Sequence, residues 1–265
     1  MTIVNGDWGF VNRMNRIIKP KSGRCVMLAI DHGYFGNIPG QLKCFDDMTP
    51  LFQYADALML TRGMLRNCVP ADIDVPIVLR VSAGASMLKE LSNEEINVTI
   101  NDAIRLNVSA LTCSIFVGGE YEKQSLMNLS KIVNWGQEYG IPTLAVTAVG
   151  REMVRDARYL GMASRMAAEM GSTFVKTYYC ENFEEVTSIC PAPVVIAGGK
   201  KIEERDALQM SKNAINKGAK GVDMGRNIFQ SDSPIGMIKA VRAIVHDNVS
   251  VDEAFEIYKN GPKGL

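Results

Sequence analysis

The chain has 265 residues, 47% apolar and 22% charged, which are ordinary proportions for a globular protein with a sizeable core. Its 29 Lys and Arg balance 29 Asp and Glu, so net charge is zero and the pI is near 6.7, which speaks against nucleic acid as a partner. No apolar run is long enough to span a bilayer, and the start, Met1 to Asp7, lacks a basic-then-apolar leader; a cytoplasmic protein with no membrane partner is expected.

Residues 1–24 read as an N-terminal extension, within which Asp7-Trp8-Gly9-Phe10 through Ile17-Ile18 is partly amphipathic and is expected to cap the bottom of the fold. Strands follow at Val26–Ile30, Ala57–Leu60 and Ile77–Arg80. Ser92-Asn93-Glu94-Glu95 looks like a helix start, and Asn97–Leu106 carries apolar residues at helical spacing. Next come a strand at Ala110–Phe116, a helix at Tyr121–Tyr139, a strand at Thr143–Val146 and a helix at Ala157–Met170. Strands at Phe174–Lys176 and Val194–Ala197 precede a helix at Glu203–Lys217. A strand at Gly221–Met224 and a helix at Pro234–His246 follow, and Ser250-Val251-Asp252-Glu253 opens a last helix. Gly140, Gly171 and Gly218 fall where helices should stop before strands. The strands are short and apolar on both faces, the pattern of parallel strands covered by helices. Eight of them alternating with helices define an α/β protein, a single (β/α)8 barrel over residues 1–265. A dinucleotide-binding doubly wound sheet is disfavoured because no G-x-G-x-x-G follows the first strand.

Active sites of such barrels draw on the C-terminal ends of several strands. The sixth ends in Val175-Lys176-Thr177, and an inward lysine there is desolvated and can attack a carbonyl. The first ends in Asp31-His32-Gly33: Asp31 is expected beside the Lys176 amine, and His32 to hold substrate or shuttle protons. Arg80 ends the third and needs an anionic partner, either substrate or a carboxylate such as Asp31; Arg62 is a weaker site of the same kind. The seventh and eighth lead into Gly198-Gly199-Lys200 and Gly225-Arg226. Glycine backbone with basic side chains in these two loops, beside a short helix end, predicts a phosphate site. Lysine and phosphate grip together imply a phosphorylated carbonyl substrate, with the iminium as electron sink. Two histidines, His32 and His246, are too few for an ordinary zinc site, so no metal is expected. No G-x-S-x-G elbow supports a serine hydrolase. The six scattered cysteines, Cys113 and Cys180 among them, read as reduced, buried thiols.

At these strand ends the chain resembles the class I aldolase superfamily of the archaeal-type fructose-bisphosphate aldolases. The stretches that carry it are Asp7-Trp8-Gly9, Val26 to Phe35, Thr61-Arg62-Gly63, Ala168 to Gly171, Val175 to Tyr179, Ile196 to Lys201 and Gly221 to Asp232. Within that superfamily the chain is most similar to the thiolase branch of autoinducer-2 processing. The resemblance implies that Lys176 is the activating lysine of an enzyme that cleaves a phosphorylated dione. Acetyl would pass to coenzyme A as co-substrate, with no bound cofactor, and dihydroxyacetone phosphate would remain. It also implies a carboxylate role for Asp31 and a ring-based homo-oligomer, commonly of ten subunits. Aldolase relatives place a proton-donating tyrosine on the fifth strand. Here Pro142 to Gly150 has none, which agrees with the thiolase-like branch; Tyr178 or Tyr179 is a possible substitute, but consecutive strand residues face opposite ways. The alternatives are a class I Schiff-base aldolase or transaldolase-like synthase acting on sugar phosphates, and a non-catalytic phosphosugar sensor. No stretch reads as a coenzyme A site.

Overall fold

The computed structural model describes residues 6–36, 48–148 and 154–264. Eight parallel strands close into a barrel: β1 Cys25–Ala29, β2 Ala57–Thr61, β3 Ile77–Arg80, β4 Ala110–Ile115, β5 Thr143–Thr147, β6 Phe174–Tyr178, β7 Val194–Ala197 and β8 Gly221–Met224, with β1 pairing both β2 and β8. Helices cover the outside, so this is a (β/α)8 barrel, as the alternating pattern predicts.

Strand alternation sorts the side chains. One set points outward to the helices, with Leu28, Leu79, Leu111, Val175 and Ile196 in the large shell between the two layers. The inward set is apolar at the bottom, where Cys25, Met27, Ala57, Met59, Val78, Leu144, Phe174 and Val195 meet. Higher up it turns polar, with Arg80, Ser114, Lys176 and Asp223 all buried. The N-terminal helix Trp8–Ile17, capped by Asp7 accepting from the Phe10 amide at 2.9 Å, presses Met14, Ile17 and the following Ile18 onto the apolar end. The extension thus floors the barrel. His246 belongs to this end too: its Nε2 lies 2.7 Å from Asp56, which also accepts from the Val26 amide at 2.7 Å.

Most predicted elements match within a residue or two. Helix stops at Gly140, Gly171 and Gly218 have φ of 64°, 94° and 98°, and Ser250 with Glu253 forms a full capping box. The segment from Ser92 is different: it opens no helix but turns into a small antiparallel ribbon pairing Ser82–Ala83 with Glu95–Ile96. The Glu94 carboxylate that would serve a helix cap is taken instead by Ser82 (2.6 Å) and Tyr34 (2.9 Å). The helix that follows is only Ile100–Arg105, capped by Thr99. Helices at Arg62–Cys68 and Phe183–Ile189 escaped the periodicity reading because seven residues barely complete two turns. The helix from Pro234 is regular to Arg242 and widens over Ala243–Asp247 before Asn248 ends it at φ 59°.

Candidate active site

β6 carries Phe174, Lys176 and Tyr178 on its inner side. Phe174 lies in the floor, Lys176 is 7% exposed, and Tyr178 is half-buried at the mouth. Lys176 Nζ sits 2.8 Å from Asp223 Oδ2 and 3.9 Å from the Met59 sulfur. The carboxylate is close enough for an ion pair with the ammonium. Burial pushes the Asp223 carboxyl above the ordinary range, with Lys176 opposing that effect. A carboxylate of raised proton affinity beside a buried amine can take the ammonium's proton and free the nitrogen lone pair.

Asp31 lies in the same cavity as Lys176, but its hydrogen-bond partner is Arg80. Asp31 accepts from Arg80 Nε at 3.0 Å, and Arg80 Nη1 donates to Ser114 at 2.7 Å. The guanidinium's partner is thus the carboxylate of its own barrel, with the Tyr34 ring 4.6 Å away. Burial works to raise the Asp31 carboxyl, but Arg80 and then Lys176 outweigh it and hold the group below its ordinary value. Asp31 is therefore a fixed negative charge on the cavity wall, and Asp223 is the carboxylate in contact with the amine. Asp223 lies inside the Gly221 to Asp232 stretch but is absent from the residues that the strand ends single out. The signal for it was parity: 221, 223 and 225 alternate inward, so a mid-strand carboxylate must enter the barrel.

His32 begins the short turn after β1, with its ring edge-on to Phe229 at 5.9 Å. Burial drives its pKa to about 4; Asp31 pulls the other way, while Lys176 and Arg226 add to the fall. The ring is neutral at pH 7, and its buried Nδ1 has no hydrogen-bond partner. Such an imidazole can accept a proton briefly and pass it on. An unfolded histidine protonates near pH 6.5, whereas the folded one resists until about 4, so the unfolded state binds the extra proton between these values. Stability should fall as pH drops through this window, by about 3 kcal/mol from this residue. His32→Gln should flatten the curve between pH 6.5 and 4 in urea unfolding, leaving the acid loss from Asp31 and Asp56 at lower pH; an unchanged curve would mean that His32 is not held neutral.

The two glycine-plus-basic loops converge on one cavity. Gly198, Gly199, Lys200, Gly225 and Arg226 line the same cavity as Lys176, Asp223, Asp31, His32 and Arg80, a space of about 470 Å³. Asn227 ties the loops together, donating to the Gly198 carbonyl at 2.6 Å and accepting from the Ile202 amide at 2.9 Å. Gly199 has φ 69°, and a Cβ at Gly225 would lie 2.3 Å from the Ala29 carbonyl oxygen and 2.7 Å from the His32 ring. Glycine at 225 thus lets the β1 and β8 turns touch and seats His32. Arg226 Nε is buried without a partner, and burial lowers the guanidinium's pKa. An anion there would satisfy the orphaned donor. The helix after it, Arg226–Phe229, is a single turn, so Arg226 and the loop amides, more than a helix dipole, would hold the anion.

Of the two tyrosines after Lys176, Tyr178 faces this cavity, under the Arg155 guanidinium at 3.8 Å, whereas Tyr179 packs on Phe183. Arg62 lies elsewhere, paired with Asp102. Cys113 and Cys180 are buried off the cavity; burial lifts the Cys113 thiol to about 12 and raises that of Cys180. Cys44 lies outside the described residues. Among those described, no three His, Cys, Asp or Glu side chains gather as metal ligands, and no helix is long and apolar enough to cross a membrane.

Fold and site together describe a (β/α)8 barrel that can offer a buried amine to a phosphorylated carbonyl compound. Residues 25–231 match the DeoC/LacD aldolase family. The chain belongs to that family. Among curated relatives it is similar to the 3-hydroxy-5-phosphonooxypentane-2,4-dione thiolase of Enterobacter sp. (strain 638), 54% identical over 97% of this chain and 88% of the relative. It is 52% identical to the thiolase of the same name from Escherichia coli (strain K12), over 95% of this chain and 87% of that one. Among solved structures an archaeal fructose 1,6-bisphosphate aldolase aligns with TM-score 0.80 at 22% identity, covering 90% of this chain and 99% of the other. The fructose-bisphosphate aldolase of Slackia heliotrinireducens aligns with TM-score 0.83 at 18% identity, over 95% and 90%. At those identities the structural likeness shows the fold.

Proposed function

We propose that the protein is a lysine-dependent thiolase that splits a phosphorylated 2,4-diketone, 3-hydroxy-5-phosphonooxypentane-2,4-dione, and passes its acetyl group to coenzyme A. The observation that carries it is the buried Lys176–Asp223 pair sharing one cavity with the unpaired Arg226 Nε. The names of the half-identical relatives support the choice of substrate and acceptor. The lack of a tyrosine among the described residues of β5 favours it over aldol cleavage. A homo-oligomer and a cytoplasmic location belong to the same proposal.

The phosphate sits against Arg226 and the Gly198-Gly199 and Gly225 backbone, placing the ketone nearest the phosphate over Lys176. Asp223 takes the ammonium proton, the amine adds to that ketone, and loss of water leaves an iminium. The coenzyme A thiol adds to the second ketone, its proton going to His32. Collapse of that adduct breaks the bond between the acetyl carbon and the carbinol carbon. The electron pair flows into the iminium to give an enamine, and acetyl departs as the thioester. The enamine carbon regains a proton from His32 or Tyr178; water hydrolyses the imine, releasing dihydroxyacetone phosphate and restoring Lys176. Asp31 supplies a fixed negative charge facing the cationic intermediates, and Arg80 holds that carboxylate in place.

The test is incubation of the dione, and separately of fructose bisphosphate, with and without coenzyme A. Acetyl-coenzyme A formed only when the thiol is present supports the reading. Aldehyde release without the thiol would replace it with aldolase chemistry. The phosphate grip has its own check: Arg226→Ala should raise KM for the phosphorylated dione about 30- to 100-fold, the loss of one charge-assisted contact of about 2–3 kcal/mol. An unchanged KM would move the anion elsewhere. Lys200→Ala should have the smaller effect, because Lys200 is exposed.

A further inference from the structure

A second cavity, of about 610 Å³, opens at the ends of β1, β2 and β3. It shares Asp31, Tyr34 and Arg80 with the Lys176 cavity, so these three side chains are a common wall between the two spaces. Its outer side is formed by the start of the helix Arg62–Cys68, with Arg62, Met64 and Asn67 lining it, and by Asn97 and Val98 ahead of the helix Ile100–Arg105.

The charges grouped with Arg62 are unbalanced. Asp102 is 5% exposed and accepts from three guanidiniums: Arg62 at 3.0 Å, Arg105 at 3.2 Å and Arg66. Among the described residues no other carboxylate lies within ion-pair distance of these arginines. One negative charge against three positive ones leaves an excess of two. The guanidinium side chains are 37%, 47% and 75% exposed for Arg62, Arg66 and Arg105, so Asp102 orders them while they still face solvent. Arg62 lines the cavity, and Arg66 and Arg105 are tied to it through Asp102; such an ordered arginine set is suited to a ligand end bearing several phosphate oxygens. The cavity behind it mixes apolar side chains (Ile30, Met64, Val98) with two carboxamides, Asn67 and Asn97. Those carboxamides can exchange hydrogen bonds with an amide-containing chain.

We propose that this cavity receives the acyl acceptor: the thiol-tipped diamide arm of coenzyme A runs through it, and its phosphates rest on Arg62, Arg66 and Arg105. The inference rests on the thiolase reading for the identity of the ligand, and it assigns that reading's second substrate a route separate from the phosphorylated ketone's. The ketone is gripped from the β7 and β8 side, and the thiol approaches from the β1 to β3 side, arriving at the Asp31, Tyr34 and Arg80 wall.

The experiment compares coenzyme A with N-acetylcysteamine, which has the thiol and lacks the nucleotide. In the unmodified protein kcat/KM should favour coenzyme A strongly. In Arg66→Gln/Arg105→Gln that preference should fall at least ten-fold, and calorimetric coenzyme A affinity should fall with it. Arg62 remains to pair Asp102, which protects the fold. Asn67→Trp, filling the exposed mouth, should raise KM for both thiols. A salt titration of the unmodified protein should weaken coenzyme A binding steeply and leave N-acetylcysteamine nearly unaffected. Preserved preference and preserved affinity in the double variant would overturn the site while the thiolase reading stands. Arginine-dependent coenzyme A binding without any acetyl transfer would overturn the thiolase reading and keep the site. No calorimetric coenzyme A binding to the unmodified protein would overturn the site.

Discussion

Lys176→Met is expected to lower kcat/KM by about 10⁴-fold or more, the scale on which removing a covalent nucleophile acts. Methionine has nearly the lysine's length and would lie against Met59, so the barrel interior stays filled. The substitution leaves Asp223 without its cation, but burial already raises that carboxyl, which can protonate and stay neutral. Folding should therefore survive, and a circular dichroism melt checks this. Borohydride added with the phosphorylated dione should attach the substrate skeleton to Lys176 in the unmodified protein and give no adduct in the variant, read by peptide mass spectrometry. Label on Lys200, the other lysine of the cavity, with activity retained in Lys176→Met, would remove the nucleophile assignment. Binding of phosphorylated ligands without turnover by the intact protein would instead mark a sensor.

Asp223→Asn is expected to cost about 10²- to 10³-fold in kcat, the usual scale of a positioned general base. The amide is isosteric and leaves KM for the phosphorylated dione largely to Arg226 and the glycine loops. The diagnostic is therefore a kcat effect with slowed borohydride trapping, not a loss of substrate. Asp223→Ala goes further, because it leaves the Lys176 ammonium buried without a counter-charge and should destabilise the fold by about 3–5 kcal/mol. If Asp223→Asn matches the unmodified protein in rate, the proton passes by another route, and Asp31 becomes the group to test.

The barrel was legible because its strands are short apolar runs at even intervals, and because glycines mark the helix stops at positions 140, 171 and 218. The gathering of Lys176, Asp31, His32, Arg80 and the two glycine-plus-basic loops into one cavity was legible from barrel topology alone, since every one of them follows or ends a strand. The pairing among these charges was not. Asp31 could serve lysine or arginine equally well on a linear reading, and only three-dimensional placement gives Arg80 to Asp31 and Lys176 to Asp223. Ser92 to Glu95 misled for a related reason: a local capping pattern competes with distant donors, and here Ser82 and Tyr34 take the glutamate. The arginine cluster on Asp102 draws on two helices about forty residues apart in sequence, one of them too short to announce itself.

The floor made by Met14, Ile17 and Ile18 turns the reaction chamber into a blind well. Nothing enters or leaves beneath it, so two substrates, two products and the water exchanged during imine formation and hydrolysis all pass through the upper end, the ketone from the β7 and β8 side and the thiol from the β1 to β3 side. Traffic then imposes order. The thioester forms and departs before water releases the lysine adduct. Steady-state kinetics should show this as ordered product release, with dihydroxyacetone phosphate the last to leave.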